Sequence, residues 1–146
     1  MKTYLPHFTT GMVVKGFGRG SKQLGIPTAN FPEEVVNNLP EEMETGVYYG
    51  FSQVDDGPVY KMVMSIGWNP YYKNEKKSME THILHKFEED FYGRLLKVVV
   101  LDYVRPEMNF NSLDDLIDTI KSDISIAEKN LDKPEFVGFQ KHEFFS

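Results

Sequence analysis

One segment of this chain has the spacing of an amphipathic helix, and almost everything before it has the pattern of short strands. In residues 112–131, apolar side chains recur every three or four positions, at Leu113, Leu116, Ile117, Ile120, Ile124, Ala127 and Leu131. Ser112 followed by Asp115 resembles a capping box, and early acidic residues suit the first turn of a helix. The pattern predicts one helix whose single apolar stripe packs against another element.

The strand pattern comes in about six pieces. Apolar or alternating runs bounded by turn residues cover 9–16, 29–32, 46–54, 58–67, 78–87 and 95–104. The tripeptide Asp55-Asp56-Gly57 separates the third run from the fourth and predicts a hairpin. So many short strands leave exposed edges unless the sheet closes on itself. We therefore predict a mainly β fold, a closed antiparallel barrel with the helix packed on its outside.

Length and composition fit one domain spanning residues 1–146 and argue against several classes of protein. Aromatic residues make up 14% of the chain, which argues against disorder, and no run of about 18 apolar residues could span a membrane. A formal net charge of −6 argues against nucleic-acid binding. The absence of cysteine excludes disulfides and thiolate metal sites. Because the start lacks an apolar signal core, we expect a cytoplasmic protein.

A glycine-dense segment, "GFGRGSKQLGIPTANFP" at 16–32, suggests a site for an anion. It combines closely spaced glycines with Arg19 and Lys22, and residues 1–32 contain no acidic side chain. It matches neither the dinucleotide fingerprint nor a Walker A loop, because Ile26-Pro27 stands where Lys-Ser/Thr would follow. Such a loop could bring backbone N–H groups to a phosphate, or it could be an irregular hairpin loop. Both interpretations remain open on the residues alone.

The end of that segment holds two candidate metal ligands. In an extended chain Thr28 and Asn30 point the same way, so a hydroxyl and an amide oxygen would converge. Neutral oxygens together with substrate phosphates are one way to hold Mg²⁺. The alternative is an ordinary turn whose Thr and Asn bond to the backbone.

Glu80 is a candidate general base in an alternating strand. Met79, Ile83 and Phe87 fall on one face of residues 78–87, and Glu80 falls on the other. The alternative is an ordinary surface carboxylate. A zinc site with His82 and His85 is rejected, because residues three apart on a strand face opposite sides.

Loop aromatics offer a further candidate site, for a flat ligand. They lie in "GWNPYYKN", in "FYG" and at Phe110, and planar rings can sandwich a planar ligand. They could equally cover the ends of a small barrel.

Taken together and in this order, the motifs resemble the riboflavin kinase (flavokinase) family of the eukaryotic monofunctional type. The matching stretches are "GRGSKQLGIPTANFP", "SIGWNPYY", "METHILH", "DFYG", "YVRPEMNF" and the terminal "FF". The resemblance covers roughly residues 8–145 and implies a six-stranded Greek-key antiparallel barrel with a helix. It also implies transfer of the ATP γ-phosphate to the ribityl 5′-hydroxyl of riboflavin, giving FMN and ADP.

The resemblance further implies roles for individual residues. Glu80 would be the catalytic base, and Thr28 and Asn30 would hold the divalent metal, with Mg²⁺ expected and Zn²⁺ or Mn²⁺ as alternatives. The residues implied for ATP are Gly16, Lys22, Ile83, His85 and Tyr92, partly through backbone groups. Those implied for the flavin are Arg105, Met108 and Phe110. We expect a monomer with no membrane or nucleic-acid partner; a non-catalytic carrier of flavin or nucleotide is the alternative function.

Overall fold

The computed structural model describes residues 3–15, 28–68, 77–85 and 92–145. Seven strands precede the main helix: β1 (His7–Met12), β2 (Val14–Lys15), β3 (Thr28–Asn30), β4 (Gly46–Val54), β5 (Val59–Trp68), β6 (Lys77–Ile83) and β7 (Leu95–Arg105). The α-helices are α1 (Glu33–Val36), α2 (Leu113–Asn130) and α3 (Pro134–Val137), and 3₁₀ helices cover Gly138–Lys141 and Glu143–Phe145.

All the strand pairs are antiparallel and join into one curled sheet in the order β1-β7-β4-β5-β6-β3-β2. The two strands at the ends of this order are consecutive in the chain, with only Val13 between them. Val13 is buried, and its N–H donates to the Arg94 carbonyl at 2.9 Å. The mainly β class with antiparallel strands and helices is confirmed. Closure into a barrel is not confirmed, because within the described residues the sheet is open and has two edge strands, β1 and β2.

The sheet separates two apolar clusters because neighbouring side chains on a strand point to opposite faces. Tyr48, Met62 and Met64 belong to the cluster on the concave face, which Ala29, Phe31 and Val36 also join. The other face, here called the helix face, carries Val47, Tyr49, Phe51, Val63, Val99 and Leu101. Ala127 of α2 and Leu131, which follows the helix, pack on the helix face together with Phe136 and Phe145. The apolar, β-branched β7 is therefore buried on both sides in its middle.

The main helix begins and ends close to where the sequence predicts. The Ser112 hydroxyl accepts a hydrogen bond from the Asp115 N–H at 3.1 Å, so the predicted cap is present. Buried positions on α2 are Ile120, Asp123 and Ala127, whereas Leu113 is exposed. In the part of the chain described by the structure, none of the helices is long and apolar enough to cross a membrane.

Six strands were predicted and seven form in the described residues, because the predicted run 9–16 divides at Val13 into β1, which pairs with β7, and β2, which pairs with β3. The other strands are confirmed with changes in their bounds, and the short helices were not predicted. The hairpin forms at Asp55, whose φ of 51° lies in the left-handed region. The predicted strand at 78–87 ends at Ile83 instead, with His85 in a bend. The helices α1 and α3 have four residues each, too few to show a helical period. That residues 1–146 form a single domain stays a prediction.

Candidate functional site

A cavity of about 230 Å³ lies on the helix face of the sheet, beside α2. Its floor comes from β5 and β6, through Ser65 and Glu80 among others, and α2 contributes Ile120 and Asp123. The segment that leaves β7 toward α2, residues 105–110, forms the remaining wall and is here called the strap. The cavity is therefore lined by the sheet, the strap and α2.

Glu80 is one of the residues of β6 that line the cavity. Its backbone pairs with Ser65 on one side and with Asn30 on the other, and directly opposed residues share a face of the sheet. The residue is only 5% exposed, and its Oε1 atom has no hydrogen-bond partner among the described residues. His82 Nε2 lies 3.5 Å from that oxygen. A buried carboxylate oxygen without a hydrogen-bond partner is uncommon in proteins, so we expect a donor to approach it when the site is occupied.

Asn30 is the cross-strand neighbour of Glu80 and has the same unusual feature. It is buried, and its Oδ1 atom has no hydrogen-bond partner among the described residues. Thr28, two residues earlier on β3, pairs through its backbone with His82. The register therefore brings the backbone of the predicted metal pair alongside the predicted base. An amide oxygen is a neutral ligand that suits Mg²⁺.

Arg105 ends β7 and is held in a fixed orientation. Its Nε and Nη2 atoms donate to the two oxygens of Asp123, at 2.9 and 2.8 Å. Nη1 donates to the Pro106 carbonyl at 3.1 Å, and the guanidinium lies 6.0 Å from the centre of the Phe110 ring. Two-pronged pairing of this kind fixes the plane of the guanidinium as well as its position.

The strap places the other two predicted flavin residues at the cavity. Met108 and Phe110 both line it, although Met108 is 52% exposed. Glu107 also lines it and approaches Gly67 so closely that a Cβ added to Gly67 would lie 2.3 Å from Glu107 Oε1. The structure thus brings Glu80 together with Arg105, Met108 and Phe110 of the strap, which lie about 25 to 30 residues later in the sequence.

The residues predicted for ATP are not gathered in this cavity. Ile83 is fully buried among the apolar side chains of the concave face, so only its backbone could meet a ligand. His85 is exposed and stacks on Tyr60 with 3.9 Å between ring centres, and Tyr92 is 43% exposed. Gly16 and Lys22 lie outside the described residues. The nucleotide roles of all five stay predictions.

Sequence reasoning missed two residues of the site. Asp123 sits between Ile120 and Ala127 on the buried stripe of α2, and a carboxylate on an apolar stripe signals a buried partner. His82 was considered only as a zinc ligand, although its spacing of two from Glu80 places both on one face. Among the described residues there is no group of three or more His, Cys, Asp or Glu suited to a metal ion.

Comparison with known proteins points to one family. The family model for riboflavin kinase, called flavokinase, matches residues 3–131. Riboflavin kinase from Homo sapiens is 61% identical over 142 residues, covering 97% of this chain and 92% of that protein. The Mus musculus enzyme is 62% identical over 141 residues, covering 97% and 91%.

A solved structure agrees with both sequence matches. The crystal structure of riboflavin kinase from Trypanosoma brucei superposes with a TM-score of 0.78 at 33% identity, covering 99% of this chain and 91% of that one. The family match, the curated relatives and the fold thus coincide over nearly the whole chain. This chain belongs to the riboflavin kinase family.

Proposed function

We propose that Glu80 is the general base of this ATP:riboflavin 5′-phosphotransferase and that the helix-face cavity receives the flavin. The observation that carries the proposal is the buried carboxylate of Glu80 in a cavity that Arg105 and Phe110 also line. Membership of the family indicates the reaction, and the cavity offers a place for riboflavin, which accepts the phosphate.

The cavity walls suit a flavin. Phe110 offers an aromatic face, Arg105 offers a guanidinium whose orientation Asp123 fixes, and Val47 and Val63 add apolar surface. A ligand site of this kind combines apolar walls with a few well-placed polar groups. Residues 106–109 of the strap are exposed, so this wall can adjust as the ring system enters.

In the proposed reaction Glu80 takes the proton of the ribityl 5′-hydroxyl. The hydroxyl oxygen forms a bond to the γ-phosphorus while the bond from that phosphorus to the β,γ-bridging oxygen breaks, and ADP leaves with the bonding electrons. A positioned base contributes roughly 10²- to 10⁴-fold to such a rate. Because the transition state of phosphoryl transfer is loose, the proton leaves late and an ordinary carboxylate suffices.

Thr28 and Asn30 would hold the divalent metal, for which we propose Mg²⁺. Asn30 fits this role because its buried Oδ1 atom has no hydrogen-bond partner among the described residues and it lies directly opposite Glu80 on the next strand. When bound, the metal would neutralise charge on the transferred phosphate. Gly16, Lys22, His85 and Tyr92, with the backbone of Ile83, would bind ATP.

The direct test is to incubate the protein, which we expect to be a monomer, with riboflavin, ATP and Mg²⁺ and to separate the flavins by chromatography. We expect FMN and ADP in equal amounts, and no FMN when EDTA removes the metal. A protein that binds riboflavin but forms no FMN with Mg²⁺, Mn²⁺ or Zn²⁺ would be a carrier and not a kinase. Replacing Asn30 with Leu should raise the metal concentration needed for half-maximal turnover.

A further inference from the structure

His82 is the one imidazole that lines the cavity in the part of the chain that the structure describes. It follows Glu80 by two residues on β6, so both side chains project from the same face of the strand. The His82 side chain is 8% exposed and that of Glu80 is 7% exposed. A buried imidazole beside a buried carboxylate forms a pair that the proposed reaction has not yet used.

The atoms of this pair define which group donates. His82 Nε2 lies 3.5 Å from Glu80 Oε1, and an ionised carboxylate can only accept. For this pair to form a hydrogen bond, Nε2 must carry the proton and donate it. Nδ1 is also buried without a hydrogen-bond partner among the described residues. The distance is long for a hydrogen bond, as is common in catalytic pairs before the substrate binds.

We propose that His82 is a positioning residue that acts through Glu80. By donating from Nε2 to Oε1, it fixes the carboxylate so that the second oxygen, Oε2, faces the ribityl hydroxyl. The inference rests on the proposed role of Glu80 as the base. The added element is that His82, which lies on the same strand as Glu80, sets the rotamer of the base. Misplacing a reacting group by about 1 Å can cost roughly 10²-fold in rate.

Two amide substitutions at His82 test which of the two ring nitrogens matters, because each amide nitrogen can replace only one of them. The amide nitrogen of His82→Gln reaches about as far as Nε2 and can still donate to Glu80, whereas that of His82→Asn reaches only about as far as Nδ1. We expect His82→Asn to lower kcat by roughly 10- to 10²-fold. His82→Gln should stay within about threefold of the wild-type enzyme, and KM for riboflavin and ATP should change little in both.

Thr81→Val is the matched control. Thr81 is a buried polar neighbour on the same strand, and its hydroxyl also has no hydrogen-bond partner among the described residues. Its side chain points to the opposite face of the sheet. We expect this variant to keep the wild-type kcat. The melting temperature of every variant and its quenching of riboflavin fluorescence show whether the fold and the flavin site are intact.

A double-mutant cycle tests whether His82 works through Glu80. If it does, adding His82→Asn to Glu80→Gln should lower kcat no further, because the interaction is already lost. Equal losses from His82→Asn in both backgrounds would overturn the proposal, as would wild-type kcat in that variant. A folded His82→Gln variant as inactive as Glu80→Gln would also overturn it, even if the Asn variant did not fold.

The same experiment distinguishes a failure of the His82 inference from a failure of the proposed role of Glu80. If Glu80→Gln loses turnover while the His82 variants do not differ from each other, Glu80 keeps its role and the positioning role of His82 is wrong. If Glu80→Gln retains wild-type turnover, the proposed base is wrong and the inference about His82 is overturned with it.

Discussion

Arg105 and Asp123 form a two-pronged ion pair that ties the last residue of β7 to the middle of α2. The two hydrogen bonds are 2.9 and 2.8 Å long, and the Asp123 side chain is only 5% exposed. Both residues line the cavity, so the pair is part of its wall as well as a link between sheet and helix. It joins a residue implied in flavin binding to the main helix of the fold.

Replacing Asp123 with Ala should destabilise the protein and weaken flavin binding. Removing one partner leaves the Arg105 charge partly buried, at 19% exposure, without its counter-ion. We expect the free energy of unfolding in urea to fall by about 3 kcal/mol. KM for riboflavin should rise, because the guanidinium is no longer held in place. Asp118→Ala, an exposed carboxylate on the same helix, is the control and should change neither quantity. A loss below about 1 kcal/mol for Asp123→Ala would show that the pair contributes little.

Gly67→Ala should affect the cavity more than the fold. The new methyl group would lie 2.3 Å from Glu107 Oε1, so the carboxylate of this exposed residue has to move away. Because Glu107 lines the proposed flavin cavity, we expect its displacement to cost about one polar contact with riboflavin and to raise KM about tenfold. The unfolding free energy should stay within about 1 kcal/mol of that of the wild type. In the control Gly138→Ala the added Cβ meets nothing within 4 Å. An unchanged KM would place Glu107 outside the flavin site.

Tyr49 should make the protein less stable at alkaline pH. Burial and the neighbouring Asp102, which accepts a hydrogen bond from the Tyr49 hydroxyl at 3.2 Å, raise the pKa of Tyr49 to about 12. Between about pH 10 and 12 the unfolded chain loses this proton while the folded protein keeps it, so stability falls as the pH rises. Urea unfolding at pH 9 and pH 11.5 should show a smaller loss for Tyr49→Phe than for the wild type. Equal losses would contradict the raised pKa.

Local patterns predicted most of the fold because they reflect local physics. The turn-bounded run 46–54 predicted the bounds of β4, the apolar, β-branched run 95–104 predicted β7 to within one residue, and the Ser112 cap marked the start of α2. The four-residue helices escaped prediction because one turn leaves no periodic signal. Closure of the sheet depends on how its edges meet, which alternation does not specify.

The candidate site was predictable only in part. The family resemblance named Glu80, Arg105 and Phe110, which the structure brings to one cavity. The pairing of Asp123 with Arg105 is a tertiary contact across 18 residues, and nothing in local spacing specifies it. The closeness of Glu107 to Gly67 depends equally on the path of the strap across β5. Such contacts follow from packing and not from periodicity.

The most direct measurement compares FMN formation by Glu80→Gln and by the wild-type enzyme under saturating riboflavin, ATP and Mg²⁺. The substitution keeps the size of the side chain and removes only the ability to accept a proton. The account predicts that kcat falls by roughly 10²- to 10⁴-fold while riboflavin still binds, as judged by quenching of its fluorescence. A folded Glu80→Gln enzyme that makes FMN at the wild-type rate would contradict the central claim that Glu80 is the base.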